Sequence, residues 1–199
     1  MSVRYLALGD SYTIGESVQE AERFPNQLAS LLSAEGVSTE VTIIARTGWT
    51  TDELWEGIQA RTVELPYDLV SLLIGVNNQY RGYDINQYRE EFIFLLNKAI
   101  EYAGGDAQRV IVFSIPDWGV TPFAAGRDAS MIAAEIDAFN QVNLEESQKA
   151  GVHYVDVTPV SRQAVDDKTL IASDGLHPSA SMYAQWAELA FPIALEILK

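Results

Sequence analysis

Short apolar runs alternate with longer amphipathic stretches along this chain. Residues 3–8 form the first apolar run and read as a strand. Phe24, Leu28, Leu31 and Leu32 then recur at the spacing of one helix face, and Gly36 closes that helix. A second strand is expected over 41–45. Thr51 is placed to cap the next helix, whose buried face carries Leu54, Trp55 and Ile58. Residues 69–74 are almost wholly apolar, as a strand covered on both faces must be.

The alternation continues to the end of the chain. A long helix is predicted over 85–102 with Tyr88, Phe92, Leu95, Leu96, Ala99 and Ile100 as its apolar stripe, ended by Gly104-Gly105. Strands follow at 110–114 and 152–157, with a helix over 132–149 between them. The last helix is expected over 180–198, with Pro192 kinking or interrupting it. Five strands alternating with helices predict an α/β fold, a parallel sheet with helices on both faces. No repeat, low-complexity tract or Pro/Gly-rich linker divides the 199 residues, which are enough for one core, so a single domain over 1–199 is expected.

Ligands of such sheets bind in the crevice beyond the carboxyl ends of the strands. Three turns lie at that edge here: Gly9-Asp10-Ser11 after the first strand, Arg46-Thr47-Gly48 after the second and Gly75-Val76-Asn77 after the third. The edge where chemistry is expected therefore carries a serine, Gly48 in position for close backbone approach, and the amide of Asn77.

Charge narrows the partners. With 13 basic and 28 acidic side chains the chain has a formal charge of −15, which repels phosphate backbones and anionic lipid surfaces. Nucleic acid is not an expected partner. No apolar run approaches the roughly 18 residues of a membrane span. The absence of cysteine excludes disulfides, a thiolate metal site and a cysteine nucleophile. Met1-Ser2-Val3-Arg4 leads straight into the first strand without a leader-like stretch, which predicts a cytoplasmic protein. The oligomeric state stays open, a monomer included.

A serine hydroxyl becomes a useful nucleophile only when a base takes its proton and a third group orients that base. The chain has two histidines. His153 lies inside the fifth strand among apolar neighbours and reads as a structural or surface residue. His177, in the turn-rich segment Asp174-Gly175-Leu176-His177-Pro178, is the good candidate base. Asp174 is spaced to reach one imidazole nitrogen and leave the other facing Ser11, although an Asp-x-x-His pair taken alone is equally a helix cap followed by a turn. Backbone N–H groups of Ser11 and Gly48 with the side-chain amide of Asn77 form a natural oxyanion-hole set. Each of Gly48 and Asn77, in isolation, is also an ordinary turn residue.

Taken in order, the blocks Gly9-Asp10-Ser11-Tyr12, Gly48, Gly75-Val76-Asn77 and Asp174-Gly175-Leu176-His177-Pro178 resemble the SGNH hydrolases, also called the GDSL esterase/lipase family. The resemblance spans residues 9 to 178. It implies a flavodoxin-like three-layer α/β/α sandwich with a five-stranded parallel sheet. It implies Ser11 as nucleophile, His177 as base, Asp174 as its partner, and an oxyanion hole from Ser11, Gly48 and Asn77. It implies hydrolysis of carboxylic esters or thioesters with no metal or cofactor, and a small-molecule ester as partner. The chain departs from the family at Asn78, where an aspartate is usual, which bears on how firmly the Asn77 loop is held. No Gly-x-Ser-x-Gly elbow is present, which argues against the larger α/β-hydrolase fold.

Trp49, Asn78, Tyr80, Trp118 and Phe123 fall in loops expected to rim the crevice and are candidate pocket residues, with capping of the core edge as the alternative for Trp118 and Phe123. Arg46 and Arg81 flank the oxyanion residues. Either could steer a polar substrate group, and a salt bridge to a nearby carboxylate is the favoured reading. Residues 119–130 lack periodicity and read as a loop over the site. The expected activity is hydrolysis of small or medium acyl esters through an acyl-enzyme. An acyltransferase or thioesterase on the same scaffold, and a flavodoxin-like binding protein without hydrolase activity, are the alternatives.

Overall fold

A computed structural model describes residues 2–199. Its centre is a five-stranded sheet in the order β2-β1-β3-β4-β5, parallel throughout. The strands are β1 Val3–Gly9, β2 Thr39–Ala45, β3 Leu69–Leu73, β4 Val110–Phe113 and β5 His153–Val155. The helices are α1 Ser11–Ile14, α2 Phe24–Ala34, α3 Thr51–Gln59, α4 Val76–Tyr80, α5 Ile85–Tyr102, α6 Ala129–Ala150, α7 Thr158–Arg162 and α8 Ala180–Leu198. This is the α/β architecture that the alternating pattern predicts.

Helices cover both sides of the sheet. α2 and α8 pack on each other, and α3, α5 and α6 pack in succession. Every residue of β3 is buried, which is why its sequence shows no polar alternation. The largest enclosed side chains, Trp186, Tyr5, Tyr88, Tyr183, Phe24 and Phe92, fill the two layers between helices and sheet. No described helix is long and apolar enough to cross a membrane.

Several element ends differ from expectation, each for a local reason. The cap of α3 is Thr50 rather than Thr51. Glu53 stands three residues after Thr50, and its carboxylate accepts from the Thr50 N–H at 3.0 Å, closing a capping box. β5 stops at Val155 because the next N–H groups are taken by side chains: Val157 donates to Ser114 Oγ at 2.8 Å and Thr158 to Asp156 Oδ1 at 3.1 Å. Pro192 does not interrupt α8. It is exposed, and so is Glu188, whose carbonyl loses its donor where water can satisfy it.

Candidate active site

The register of the sheet assembles the site. Gly9 pairs with Ala45 on one side and Leu73 on the other, so the turns after β1, β2 and β3 leave the sheet side by side. The chain moves from β1 outward to β2 and then returns to add β3 on the opposite side of β1. That reversal opens a crevice at the carboxyl ends of the strands.

Ser11 is the first residue of α1, a single turn of helix begun by Asp10, whose Oδ1 accepts from Tyr12 N at 3.0 Å. The N–H groups of a first helical turn have no partner within the helix. Neither Ser11 N–H nor Gly48 N–H donates to another backbone carbonyl among the described residues, which leaves both available to a ligand. Gly48 sits at φ +85°, a conformation that side chains with a Cβ rarely adopt. Gly75 starts α4 at φ +128°, and a Cβ there would stand 2.4 Å from the Tyr88 hydroxyl, so only glycine fits under the helix that carries Asn77.

Asn77 is held by two acceptors. Its amide donates to the carbonyl of Trp49 at 3.0 Å and to Asp10 Oδ2 at 3.2 Å. Asp10 has no solvent exposure, and burial pushes its pKa up to about 7 against the bonds from Tyr12 and Asn77 that favour the carboxylate. Asn78 is also buried. It accepts from Thr51 N at 3.1 Å and donates to Thr51 Oγ1 at 2.7 Å, so a neutral amide ties this loop to the start of α3.

The second half of the site comes from the loop before α8. His177 is buried, and its Nδ1 lies 2.6 Å from Asp174 Oδ2. The other oxygen of Asp174 accepts from Leu176 N at 2.9 Å and His177 N at 3.0 Å. Burial works to raise the Asp174 pKa, but the bonds from Ser17, His177 and the turn N–H groups outweigh it and hold the carboxyl well below its usual range. An ionised carboxylate only accepts, so Nδ1 of His177 carries a proton, and in the neutral imidazole Nε2 is the nitrogen that can take one. Tyr12 flanks the imidazole with ring centroids 5.1 Å apart.

Ser11, Gly48, Asn77 and His177 line one cavity of about 170 Å³, together with Val76, Tyr80, Trp118, Phe123 and Leu176. The structure thus brings the proposed nucleophile, oxyanion donors and base to one space. No hydrogen bond joins Ser11 to His177 among the described residues; the two are neighbours across the cavity wall. Tyr80, Trp118 and Phe123 form an aromatic cluster with centroid separations of 5.3–6.1 Å.

Two expected pocket residues lie elsewhere. The Trp49 ring packs on Gly57, where an added Cβ would come within 2.0 Å of it, and so it is not in the cavity. Asn78 is spent on Thr51 and does not reach the cavity either. The 119–130 segment is less irregular than its sequence suggests: it holds two 3-10 turns, Trp118–Val120 and Pro122–Ala124, and then the first residues of α6. Phe123 N donates to Gly175 O at 3.0 Å, pinning that segment to the loop of His177. Arg81 bonds Glu53 at 3.2 Å and Gly48 O at 2.6 Å rather than pointing a free charge at the cavity. Arg46 is exposed beside Thr47. His153 opens β5 and pairs with Ile111, at the opposite end of the strands from the cavity.

Two residues escape a reading for chemistry. Asp10 shows only as the middle of a Gly-Asp-Ser turn; its N-cap position was the available signal. Ser17 Oγ donates to Asp174 Oδ2 at 2.7 Å across 157 positions of chain, and nothing in the sequence marks that contact.

Comparison with known proteins gives the family and the fold. The GDSL-like Lipase/Acylhydrolase family matches residues 7–185. No protein among those with curated descriptions matches. Among solved structures, the lipase/acylhydrolase from Enterococcus faecalis superimposes with a TM-score of 0.76 at 20% identity, covering 99% of this chain and 97% of that one. TesA gives 0.75 at 19% identity, with 98% and 99% covered. Axe2, an acetylxylan esterase from Geobacillus stearothermophilus, gives 0.74 at 18% identity, with 99% and 96% covered. At these identities the structural likeness establishes the fold.

Proposed function

Since this chain belongs to the GDSL-like lipase/acylhydrolase family and is a carboxylic ester hydrolase, we propose that it cleaves short acyl esters through a Ser11–His177–Asp174 triad, all within a single domain over residues 1–199. The observation that carries the reading is the shared cavity. Ser11 and His177 line it, and His177 is oriented by Asp174 at 2.6 Å.

Ser11 Oγ attacks the acyl carbonyl carbon while its proton passes to Nε2 of His177. Asp174 holds Nδ1–H and stabilises the imidazolium that forms. The carbonyl oxygen becomes an oxyanion bonded by the N–H groups of Ser11 and Gly48 and by the Asn77 amide, which gives up its 3.2 Å bond to Asp10 Oδ2 to do so. The tetrahedral species collapses, the leaving alkoxide takes the proton from His177, and an ester to Ser11 remains. Water then attacks that ester with His177 as base, which releases the carboxylic acid and restores Ser11. Substrate in the cavity excludes water and draws Ser11 and His177 together, as catalytic hydrogen bonds tighten in the loaded complex.

The cavity supports a short acyl group. At about 170 Å³ it lies well below the roughly 300–1,000 Å³ of pockets that enclose drug-sized ligands. Its apolar wall of Val76, Tyr80, Trp118, Phe123 and Leu176 suits a hydrocarbon chain. A panel of p-nitrophenyl esters from acetate to decanoate, with matched thioesters, tests the reading. Activity should peak at the short end and vanish in Ser11→Ala and His177→Ala. Undiminished turnover by Ser11→Ala would falsify the mechanism.

A further inference from the structure

We propose that Ser17 is a positioning residue of this site, holding Asp174 and, through it, the ring of His177. The proposal rests on the triad reading above.

Backbone conformation is the first observation. Ser17 lies at φ +66°, the one non-glycine residue in the left-handed region among the described residues. That region is disfavoured for side chains with a Cβ, and Asn and Asp tolerate it better than serine does. Strained residues of this kind persist where surrounding structure over-determines them, and they cluster at functional sites. Ser17 stands six positions after Ser11, in the turn that leaves α1 through Gly15.

What the strained turn secures is the second observation. Ser17 Oγ donates to Asp174 Oδ2 at 2.7 Å, and His177 Nδ1 meets the same oxygen at 2.6 Å. The other Asp174 oxygen is filled by two N–H groups of its own turn. Ser17 is therefore the donor to this carboxylate that comes from outside residues 174–177. It fastens the loop bearing the acid and base to the segment bearing the nucleophile. The preceding residue does the same on the other flank: Glu16 accepts from Thr47 Oγ1, and Thr47 lines the cavity beside Gly48. Two consecutive residues after α1 thus tie down both neighbouring loops.

The bond also sets the strength of the base. Ser17 and His177 compete for charge on one oxygen, so the Ser17 hydroxyl reduces how strongly Asp174 stabilises an imidazolium. The other groups near this pair are Glu16 in the same turn, Asp10 capping α1 and Tyr12 within it, Asp117 near Tyr12, and Tyr183 on α8. Burial keeps both phenols protonated. Asp10 titrates in the same range as a histidine, but it is unchanged between Ser17 variants, so differences between them report on Ser17.

Three variants test this: Ser17→Ala, Ser17→Gly and, in parallel, His177→Ala. Losing one hydrogen bond to the carboxylate should lower kcat about three- to tenfold in both Ser17 variants with little change in KM. The His177 ring, readable by NMR in a chain with two histidines, should titrate at higher pH in both Ser17 variants than in the parent, because the freed carboxylate oxygen holds an imidazolium more strongly. Ser17→Gly relieves the left-handed strain, so it should match or exceed the parent in thermal stability while sharing the kinetic loss, which separates the hydroxyl from the fold. Both Ser17 variants within twofold of the parent, with an unmoved histidine titration and an inactive His177→Ala, would overturn the role of Ser17 alone. An active His177→Ala would overturn the triad reading on which it depends.

Discussion

At the scale of single residues, Asp10 has the largest consequence for pH dependence. Its carboxyl is fully enclosed, and burial raises its folded pKa to about 7, against about 4 in an unfolded chain. Between those values the native protein keeps a proton that the unfolded chain has shed. The unfolded state then binds fewer protons, so stability falls as pH rises through that window, with a slope of at most about 1.4 kcal/mol per pH unit from this one group. Asp174 acts in a separate window and with the opposite sign. Its folded pKa is depressed, so its contribution is fully present above about pH 4 and is lost as the pH drops further. Asp10→Asn keeps an acceptor for Tyr12 N–H and removes the charge. Urea unfolding from pH 4 to 8 should show a flatter profile for the variant than for the parent. Parallel profiles would mean that Asp10 stays ionised throughout.

At the scale of elements, the two non-serine oxyanion donors sit on different loops and need a common brace. Arg81 supplies it. Its backbone N–H closes α4 onto Asn77 O at 3.0 Å, and its guanidinium donates to Gly48 O at 2.6 Å and to Glu53 at 3.2 Å. Glu53 in turn caps α3 through Thr50. Arg81 therefore fixes the distance between the Gly48 N–H and the Asn77 amide together with the direct bond from Asn77 to Trp49 O. Removing the Asn77 donor should cost on the order of 10²–10³ in kcat. Arg81→Ala leaves both donors present but loosens their spacing, and a loss of roughly tenfold in kcat is expected, the worth of about one hydrogen bond. Steady-state kinetics of Asn77→Ala, Arg81→Ala and the double variant check the link. If Arg81 acts through the donor spacing, the double variant should be little worse than Asn77→Ala alone; a fully additive loss would assign Arg81 a separate role.

What the sequence made legible follows from the same geometry. The hydrophobic periods disclosed five strands and the major helices, because the central strands β3 and β4 are wholly buried, the edge strands β2 and β5 remain apolar though only half-buried, and each long helix has one apolar face. Ser11, Gly48, Asn77, Asp174 and His177 were legible because strand-end turns and a short motif carry them. The pocket residues were harder. Trp49 and Asn78 sit next to the oxyanion residues in sequence, but the turn sends one ring onto Gly57 and the other amide onto Thr51. The ion pair of Arg81 with a carboxylate was the favoured sequence reading and is present with Glu53, whereas its bond to Gly48 O and the contacts of Ser17 and Glu16 join segments far apart in sequence, which neither periodicity nor a motif encodes. Chemistry was readable where it is local; the bracing around it was not.

At the scale of the molecule, a formal charge of −15 is the property that no single contact explains. Seven of the basic side chains are paired with carboxylates, Arg81, Arg89, Lys98, Arg109, Lys149, Arg162 and Lys199. Two that are not paired, Arg46 and Arg127, stand beside the cavity. Arg46 adjoins Thr47, and the Arg127 guanidinium lies over the Tyr80, Trp118 and Phe123 rings at 5.0–5.9 Å. The cavity rim thus carries cationic side chains beside the carboxylates Glu16 and Asp174 within a strongly acidic field, and the local and global charges act over different ranges. At about 0.01 M ionic strength the Debye length is roughly 30 Å and the whole protein is felt; at 0.15 M it is about 8 Å and only the mouth is. A choline ester, its neutral carbon isostere and a hemisuccinate ester of the same alcohol size separate them. Raising salt should lower kcat/KM for the cationic ester, raise it for the anionic one and leave the isostere unchanged, because screening removes the far field first. At high salt, Arg127→Ala should lower kcat/KM for the anionic ester relative to its neutral isostere. A salt response of the opposite sign would mean that the two arginines at the mouth, and not the net charge, govern which esters reach Ser11.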